Sequence, residues 1–514
     1  MNIFFTVIGA LCALLAFCVS LVKFMHFFQL NSYRASLHFK WIRTNVSKHL
    51  PNIVFGGFGI WAAASHGIFA KIVFCVLMLL GALFSVPKKA KKPLVYTARV
   101  KRMLVTSAVL YAVLLVIAAQ AGIPILGGAV LFVLSPLAPA AANFVNTPIE
   151  KSVNNYYIND AKKMLSSSNA KVIGITGSYG KTSVKYYLSA LLKAKYNVLM
   201  TPESYNTPMG IVKTIRGELN SLHEIFVCEM GAKRVGEIKE ICDIVHPDMG
   251  VITSVGPQHL ETFKSIENVK KTKFELADAV EKKNGMLFLN GDDENIKSYK
   301  GARKCVTYSL SGSGDYNAEV LSVGESGTTF TLAAPGGESG TFTTKLIGTH
   351  NVLNIAGAAA VAHSLGIGFE QLGVQIKKLK SVPHRLELVN RGKDIIIDDA
   401  YNSNPSGTRA ALETLSCFDG VKILLTPGMV ELGAKQNELN FEFGKNAAAV
   451  CDVCILVGRK QTESIREGLE SAAFPSDKVY VAKDLSDAVE YAYALNTHGT
   501  RKIILLENDL PDNY

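Results

Sequence analysis

The sequence predicts an α/β fold that is preceded by a helical region able to span a membrane. Three observations support this prediction. Residues 1–150 contain five long apolar runs. From residue 171 onward, strand-like and helical patterns alternate, which is typical of parallel sheets covered by helices. A glycine-rich turn, "GITGSYGKTS" at 174–183, joins the first of these strands to the first of these helices.

The apolar runs each approach the ~20 residues that a helix needs to cross the hydrocarbon layer. They lie at about 3–29, 52–66, 68–86, 103–121 and 124–145. The second and third runs are short, so a re-entrant pair is the alternative to two crossings. A cleaved signal peptide is the alternative for residues 1–29, but no basic segment precedes that run and no small-residue cleavage site follows it.

Charge is distributed unevenly along the chain. Residues 1–150 contain 13 Lys and Arg and one acid, Glu150, whereas the rest of the chain contains 41 basic and 42 acidic residues. The net charge of +11 therefore belongs to the N-terminal region. Because its charges alternate with apolar runs, we expect anionic membrane lipids as partners and no nucleic acid.

The basic loops set the expected orientation. The loops at 32–49 and 87–102 are basic, whereas 65–67 and 120–122 contain no Lys or Arg. Basic loops stay in the cytoplasm, so five crossings place the N-terminus outside and residue 151 inside. The sequence thus predicts a multi-pass protein of the plasma membrane whose α/β domains are cytoplasmic.

The remaining chain predicts two α/β domains. Nine apolar runs, from "KVIGIT" at 171 to "KIILLE" at 502, have the length and β-branched content of strands. Segment 301–347 is rich in Thr, Gly and Ser with alternating apolar residues, which predicts antiparallel strands inserted late in the first domain. A loop around Pro383 separates the two domains. The predicted divisions are a membrane region at 1–150, a P-loop-type central domain at 151–382 and a Rossmann-like domain at 383–514.

The glycine-rich turn has the features of a phosphate-binding loop. Such a loop aims consecutive backbone N–H groups at one anion, and a lysine adds a point charge. The spacing departs by one residue from GxxxxGK[ST], and a chance match is the alternative, but a strand before and a helix after are the context that the mechanism needs. Lys181 would reach the β- and γ-phosphates, and Thr182 or Ser183 would offer a hydroxyl to Mg²⁺. The predicted ATP-binding residues here are Gly177, Ser178, Gly180, Lys181, Thr182 and Ser183.

Eight motifs occur in the order and approximate spacing of the Mur ligases, and the chain resembles that family over about 171–433. The branch it resembles most adds D-alanyl-D-alanine to a muramyl tripeptide. The motifs are "GITGSYGKTS", "YNTPMG" (205–210), "CEMGAKRVGEI" (228–238), "GPQHLETF" (256–263), "LNGDDEN" (289–295), "GTHNVLNIAGAAAVA" (348–362), "HRLELV" (384–389) and "DDAYNSNPSG" (398–407).

The resemblance implies ATP-dependent amide formation. In this family a substrate carboxylate attacks the γ-phosphate to give an acyl phosphate, and an amine then displaces phosphate. The implied cofactors are ATP, two Mg²⁺ ions and a carbamylated lysine. The implied substrates are a muramyl peptide or another carboxylate acceptor, and D-Ala-D-Ala or another amine.

The resemblance also assigns metal-site residues. Glu229 ends a strand, where a carboxylate can hold Mg²⁺, and it lies in the family motif "CEMGA"; a solvated surface Glu is the alternative. By similarity, His259 is a second metal ligand and Lys273 is the lysine that becomes carbamylated. Lys270 and Lys271 are close neighbours of Lys273, so this assignment depends on spacing alone.

Four further residues are assigned by resemblance to nucleotide contacts. Asn351 and Asn354 match the asparagines that contact adenine, although Asn351 could instead cap a helix. Arg385 matches an arginine that reaches the phosphates, and Asp399 matches the residue on the ribose. Because these last two follow the domain boundary, the domains must close over ATP, which would shield an acyl phosphate from water.

The sequence departs from the family pattern at both ends. Predicted spans occupy the place of the uridine-binding domain of soluble members. Gly428 stands where the family often has an acid, Asn440 lies near a usual histidine, and "LLENDLPDNY" lacks the usual Lys-Gly-Ser turn.

These observations leave three hypotheses. The first is a ligase that adds D-Ala-D-Ala in peptidoglycan precursor synthesis. The second is a ligase that uses a lipid-linked muropeptide or a poly-γ-glutamate-type acceptor, with the spans near the acceptor. The third, of another class, is a nucleotide-gated scaffold or transporter subunit.

Overall fold

The computed structural model describes residues 2–65, 67–87, 92–203, 205–299, 301, 304–401 and 403–509, and only the backbone of Asn2. Within this part of the chain, residues up to 156 form one compact unit and residues from 157 form another. Three lysines of the predicted basic loop, at 88, 89 and 91, lie outside the described residues.

The first unit is entirely helical in its described part. A helix that was not predicted occupies the basic loop at 32–49. The helices are α1 (Asn2–Leu30), α2 (Ala35–Thr44), α3 (Val46–Ala64), α4 (Ile68–Phe84), α5 (Ala98–Gln120), α6 (Pro124–Val133) and α7 (Ala138–Ser166), with a 3₁₀ turn at Ser135–Leu137.

Two helices in the described chain are both long and apolar enough to cross a membrane, Ile3–Leu30 and Ala98–Gln120. The count rises to three if Pro124–Val133 and Ser135–Ser166, bent by 56°, form one broken span. Helix α4 has 17 residues, and α3 begins with a polar turn that contains Lys48, so neither meets the same test. The five predicted crossings therefore remain a prediction.

The first unit buries a polar cluster among its helices. Asn52 Nδ2 donates to Ser20 Oγ at 2.7 Å and to Ser135 Oγ at 2.9 Å. All three side chains are fully buried, so these hydrogen bonds replace water that the helices exclude. Most of the exposed large apolar side chains of the described chain also lie in this unit, which suits contact with hydrocarbon.

The second unit begins with a nine-stranded sheet. Its strands are β1 (Lys171–Thr176), β2 (Val198–Met200), β3 (Ile225–Glu229), β4 (Met249–Ile252), β5 (Met286–Asn290), β6 (Cys305–Ser309), β7 (Tyr316–Gly324), β8 (Gly327–Ala333) and β9 (Ser339–Thr344). Its helices are α8 (Lys181–Leu192), α9 (Pro208–Glu218), α10 (Glu237–Val245), α11 (Leu260–Phe263), α12 (Ile266–Lys282), α13 (Glu294–Lys297), α14 (Thr349–Ser364) and α15 (Phe369–Lys378).

The strand order of this sheet is β2-β3-β1-β4-β5-β6-β7-β8-β9. The strands from β2 to β6 are parallel, and β7, β8 and β9 pair antiparallel. Segment 301–347 therefore contains the predicted antiparallel strands, but β6 pairs parallel with β5 and extends the parallel part. Side chains of β1 alternate between two cores: Ile173 and Ile175 pack on one face and Val172 on the other.

The second sheet has the order β10-β11-β15-β12-β13-β14. Only its edge strand β10 is antiparallel to its neighbour. The strands are β10 (Glu387–Arg391), β11 (Asp394–Asp399), β12 (Val421–Thr426), β13 (Val453–Val457), β14 (Val479–Ala482) and β15 (Lys502–Glu507). The helices are α16 (Pro405–Ser416), α17 (Gln436–Ala448), α18 (Glu463–Ser471) and α19 (Leu485–Ala494), with 3₁₀ turns at Gly433–Lys435 and Ser476–Lys478. The predicted α/β class with a helical N-terminal region is confirmed.

Candidate active site

The glycine-rich turn lies at the carboxyl edge of the first sheet, between β1 and α8. Gly177 has φ +152°, and a Cβ there would lie 2.1 Å from Thr253 Oγ1. Gly180 has φ +78° and caps α8, and a Cβ there would lie 2.5 Å from Asn354 Oδ1. Both positions need glycine because the chain is left-handed or crowded there. The result is a tight loop at a helix N-terminus, which is the geometry that binds phosphate.

Lys181 folds over this loop. Its Nζ donates to Gly177 O at 2.6 Å and to Ser178 O at 2.9 Å. Burial lowers the pKa of Lys181 to about 8; the nearby Arg385 also lowers it, while Glu229 opposes the shift. Ser178 is buried, and its hydroxyl bonds the Gly256 backbone, so its side chain holds the loop in place.

Glu229 ends β3 beside the loop, because β1 and β3 pair with Ile175 opposite Glu229. Its Oε1 accepts from Thr182 Oγ1 at 3.1 Å and from Asn206 Nδ2 at 3.1 Å. The solvated surface carboxylate considered as an alternative is wrong, since Glu229 is only 2% exposed. Two predicted metal ligands, Thr182 and Glu229, are thus in direct contact.

Glu229 also faces a buried cation that the sequence analysis missed. Lys185 Nζ lies 3.0 Å from Glu229 Oε2, and Lys185 is fully buried. The contact is an ion pair without hydrogen-bond geometry, so Oε2 has no hydrogen bond among the described residues. A buried carboxylate oxygen that is free of hydrogen bonds suits a divalent cation. The i, i+4 spacing of Lys181 and Lys185 on one helical face was the signal that could have found it.

Lys273 lies on α12 and is 1% exposed. Within the described part of the chain its amine has no hydrogen-bond or ion-pair partner. Burial therefore lowers the pKa of Lys273 well below its usual value, and the charge of Lys181 adds to the shift. The shift favours the neutral amine, which is the form that can take up carbon dioxide.

His259 precedes the short helix α11, and its Nδ1 contacts the carboxylate of Glu431 in the C-terminal domain. Burial lowers the pKa of His259, and the charges of Lys233 and Lys181 act in the same direction. Burial disfavours ionisation of Glu431, yet hydrogen bonds from His259 and Lys233 hold its pKa at about 2. The pair is therefore a neutral imidazole and a carboxylate at neutral pH.

The two predicted adenine contacts differ in their surroundings. Asn354 lies against Gly180 of the loop. Asn351 is buried, accepts from Tyr187 Oη at 2.7 Å and donates to Ile347 O at 2.9 Å. Its amide is used within the fold, and the helix cap is Gly348, so the capping alternative for Asn351 is wrong.

Ser183 lies on the first turn of α8, where its side chain is a neighbour of the Tyr187 hydroxyl. The same hydroxyl donates to Asn351. Ser183 therefore belongs to the network that joins α8 to α14, whereas Thr182 is the hydroxyl that contacts Glu229.

Arg385 and Asp399 lie together in the C-terminal domain. The Arg385 guanidinium packs 4.4 Å from the Tyr401 ring centroid. Burial raises the pKa of Asp399 to about 6, although the Arg385 charge and the Leu386 N–H oppose the shift. Glu507 pairs with Asp399 in register on the adjacent strand and is fully buried, and burial raises its pKa well above the usual range.

The structure thus brings several predicted site residues into the electrostatic surroundings of Lys181. Charge interactions with Lys181 shift the pKa of Lys181 itself or of the other residue in four cases: Glu229, His259, Lys273 and Arg385. Sequence reasoning missed Lys185, Asn206, Glu431 and Glu507, which complete this arrangement.

Two family profiles match the chain. The Mur ligase middle domain matches residues 175–362, and the Mur ligase glutamate ligase domain matches residues 384–506.

Curated relatives match the same region. UDP-N-acetylmuramoyl-tripeptide–D-alanyl-D-alanine ligase of Escherichia coli (strain K12) is 33% identical over 302 residues, which cover 58% of this chain and 66% of that protein. The ligase of the same name from Bacillus subtilis (strain 168) is 33% identical over 289 residues, covering 55% of this chain and 62% of that protein. The match therefore spans less than two thirds of the length of these relatives.

Solved structures of MurF proteins are also similar to the chain. A crystal structure of MurF from Acinetobacter baumannii has a TM-score of 0.62 at 25% identity, covering 69% of this chain and 77% of that one. MurF ligase from Thermotoga maritima in complex with ADP has a TM-score of 0.61 at 27% identity, covering 69% of this chain and 80% of that one.

Proposed function

Because the chain belongs to the Mur ligase family, we propose that it is an ATP-dependent ligase that joins a carboxylate to an amine. The observation that carries the proposal is the cluster formed by Lys181, Thr182 and Glu229 at the phosphate loop. ATP is supported as the nucleotide by the Thermotoga maritima relative, which was solved with ADP.

Each polar group around the loop has a role in this reaction. The loop N–H groups and Lys181 hold the phosphates, and Arg385 of the C-terminal domain adds positive charge where the γ-phosphoryl group transfers. A substrate carboxylate oxygen bonds the γ-phosphorus, and the bond from that phosphorus to ADP breaks. The amine nitrogen then bonds the acyl carbon, the bond from that carbon to the phosphate oxygen breaks, phosphate leaves, and the amine proton is released to water. Asn354 and Asp399 are proposed nucleoside contacts.

The proposed magnesium ligands are Thr182, Glu229 and His259. The donor set suits Mg²⁺, since Glu229 Oε2 is buried without a hydrogen bond in the described part of the chain. When bound, Mg²⁺ neutralises phosphate charge. Lys273 is proposed as a carbamate: its nitrogen bonds the carbon of carbon dioxide, and a proton is released to water.

For the substrates, we infer a muramyl peptide as carboxylate donor and D-Ala-D-Ala as amine, in peptidoglycan precursor synthesis. The names of the curated relatives support this inference. Two departures from the family pattern form hydrogen bonds within the fold. Asn440 bonds the Met429 backbone, and Glu507, which lies in "LLENDLPDNY", accepts from Ser403 Oγ at 2.7 Å.

A lipid-linked acceptor is the second candidate. It is favoured by the two apolar helices long enough to cross a membrane and by the exposed apolar side chains of the first unit. Residence at the plasma membrane with cytoplasmic catalytic domains would bring a lipid-linked muropeptide or a polymeric acceptor to the site.

The test is turnover by the full chain in detergent with ATP and defined acceptors. The panel contains nucleotide-linked and lipid-linked muramyl tripeptides, each with and without D-Ala-D-Ala. We expect phosphate release and a new amide with the nucleotide-linked acceptor only when the dipeptide is present. Turnover confined to the lipid-linked acceptor would establish the second candidate.

Lys181→Ala is the matched control. It removes a phosphate cation and leaves apolar burial unchanged, so phosphate release should be abolished while membrane insertion persists. Full turnover in this variant would refute the proposed role of the loop.

A further inference from the structure

One carboxylate of the C-terminal domain reaches the proposed metal site of the central domain. Glu431 lies after β12, and its carboxylate contacts His259 Nδ1, although 172 positions separate the two residues. The proposed function gives His259 a ligand role and leaves Glu431 without one.

The segment that carries Glu431 is fixed to its own domain. Met429 N donates to Asn440 Oδ1 at 2.8 Å, and Asn440 Nδ2 donates back to Met429 O at 3.0 Å. Asn508 Nδ2 donates to Gly428 O at 2.6 Å, and Leu432 is 2% exposed. The carboxylate is therefore presented from a defined position of the C-terminal domain.

Both partners have unusual backbone conformations. His259 has φ +52° and Glu431 has φ +62°. Residues other than glycine adopt left-handed conformations rarely, and such residues concentrate at functional sites. The contact is thus made by two strained residues, one from each domain.

The hydrogen bond between His259 and Glu431 determines which ring nitrogen of His259 is available to a metal ion. A carboxylate only accepts hydrogen bonds, so the proton of the ring is assigned to Nδ1. Nε2 then carries a lone pair, and it makes no hydrogen bond to any described residue. A metal-ligating histidine commonly donates its other N–H to a carboxylate, which fixes the ring.

A second contact fixes the carboxylate itself. Lys233 Nζ lies 3.0 Å from Glu431 Oε1, and Lys233 follows Glu229 on the same side of the site. Lys233 is half-exposed, so it steadies Glu431 from the solvent side.

We propose that Glu431 is a positioning residue that orients His259 Nε2 toward the metal, so that the site is complete only when the C-terminal domain is docked. This inference rests on the proposed function, which supplies the metal role of His259. Because coupling between two equilibria is reciprocal, metal binding must then stabilise the arrangement in which the C-terminal domain is docked on the central domain.

The test measures Mn²⁺ binding to the full chain in detergent by electron paramagnetic resonance, with a non-hydrolysable ATP analogue present. Glu431→Ala should raise Kd for one Mn²⁺ about 10- to 100-fold, the usual effect of removing a carboxylate behind a ligand. Glu431→Gln should restore part of the affinity, because its amide oxygen still accepts from Nδ1. A pulsed measurement should detect coupling to the imidazole nitrogen in the parent and lose it in Glu431→Ala.

Glu413→Ala and Lys233→Met are the controls. Glu413 accepts a hydrogen bond from Thr349 between the same two domains without contacting His259, and Lys233→Met removes the salt bridge alone. Neither variant should change the nitrogen coupling. If Glu413→Ala weakens Mn²⁺ binding as much as Glu431→Ala does, the effect is general domain docking and the inference fails.

His259→Ala separates failure of the inference from failure of the proposed function. If it binds Mn²⁺ as the parent does, the metal role of His259 fails and the inference with it. If it loses one Mn²⁺ while Glu431→Ala retains both the affinity and the nitrogen coupling, only the inference is overturned.

Discussion

Lys181 shows how burial prepares a single residue for phosphate. Its amine donates to two loop carbonyls, Gly177 O and Ser178 O. These bonds only partly replace water, so burial brings the pKa of Lys181 to about 8. A triphosphate would restore the stability of the cation, which links ATP binding to the protonation of this residue.

The first prediction concerns pH. If Lys181 binds phosphate, it does so in its protonated form, so kcat/KM for ATP should be constant below the pKa of about 8 and fall about tenfold per pH unit above it. Steady-state kinetics across that range measures the profile. Lys181→Arg keeps its charge at higher pH, so its profile should lack this decline. A parent enzyme that is equally active at pH 7 and about pH 10 would contradict the prediction.

The second prediction concerns Lys273, whose pKa burial lowers well below the usual value. If the residue works as a carbamate, Lys273→Ala should lose most activity and regain part of it with short-chain carboxylates or high bicarbonate. Phosphate release measures both effects. Lys270→Ala is the control, because Lys270 is only partly buried and its amine contacts Ser298. Activity of Lys273→Ala equal to that of the parent would refute the role.

At the scale of elements, the site depends on how β1 meets α8. The register of β1 with β3 places Glu229 beside the loop, and the loop turns sharply at Gly177 before α8 begins at Lys181. A loop held this tightly keeps its backbone N–H groups in place before the nucleotide arrives, which lowers the entropy cost of binding.

The third prediction follows from this packing. In Gly177→Ala the new Cβ would lie 2.1 Å from Thr253 Oγ1 and 2.9 Å from Ser254 N, so the loop must move. We expect a stability loss of roughly 1–3 kcal/mol and a loss of ATP-analogue affinity. Thermal unfolding and equilibrium binding measure the two effects. Gly217→Ala is the control: it lies in α9 with no atom within 4 Å of its Cβ position, so it should be neutral or slightly stabilising. Equal behaviour of the two variants would refute the packing argument.

At the scale of the whole molecule, a helical unit precedes a two-sheet ligase unit. The net positive charge belongs to residues 1–150, and the described helices of that region contain most of the exposed large apolar side chains. Charge and apolar surface together favour insertion into a membrane with the ligase domains in the cytoplasm.

The fourth prediction tests that orientation. Single cysteines at Ser65 and Gln120 should react with an impermeant reagent added to intact cells, because the loops at 65–67 and 120–122 contain no basic residues. A cysteine at Ser32 should not react until the cells are opened. The parent chain gives the background from its own nine cysteines. The reverse labelling pattern would overturn the orientation.

The sequence by itself determined the elements and the chemistry of the loop. Apolar periodicity located the nine predicted strands, and glycines with a lysine at the helix start identified the phosphate loop, because these signals depend on neighbouring residues alone. The resemblance named the residues around Lys181, whose roles stay predictions.

The tertiary structure alone decided how distant residues meet. It paired β6 parallel with β5, committed the Asn351 amide to Tyr187 and Ile347, and placed Lys185 against Glu229. It also brought Glu431 to His259. Such contacts join positions far apart in the chain and arise from strand register and domain docking, which no local pattern of residues records.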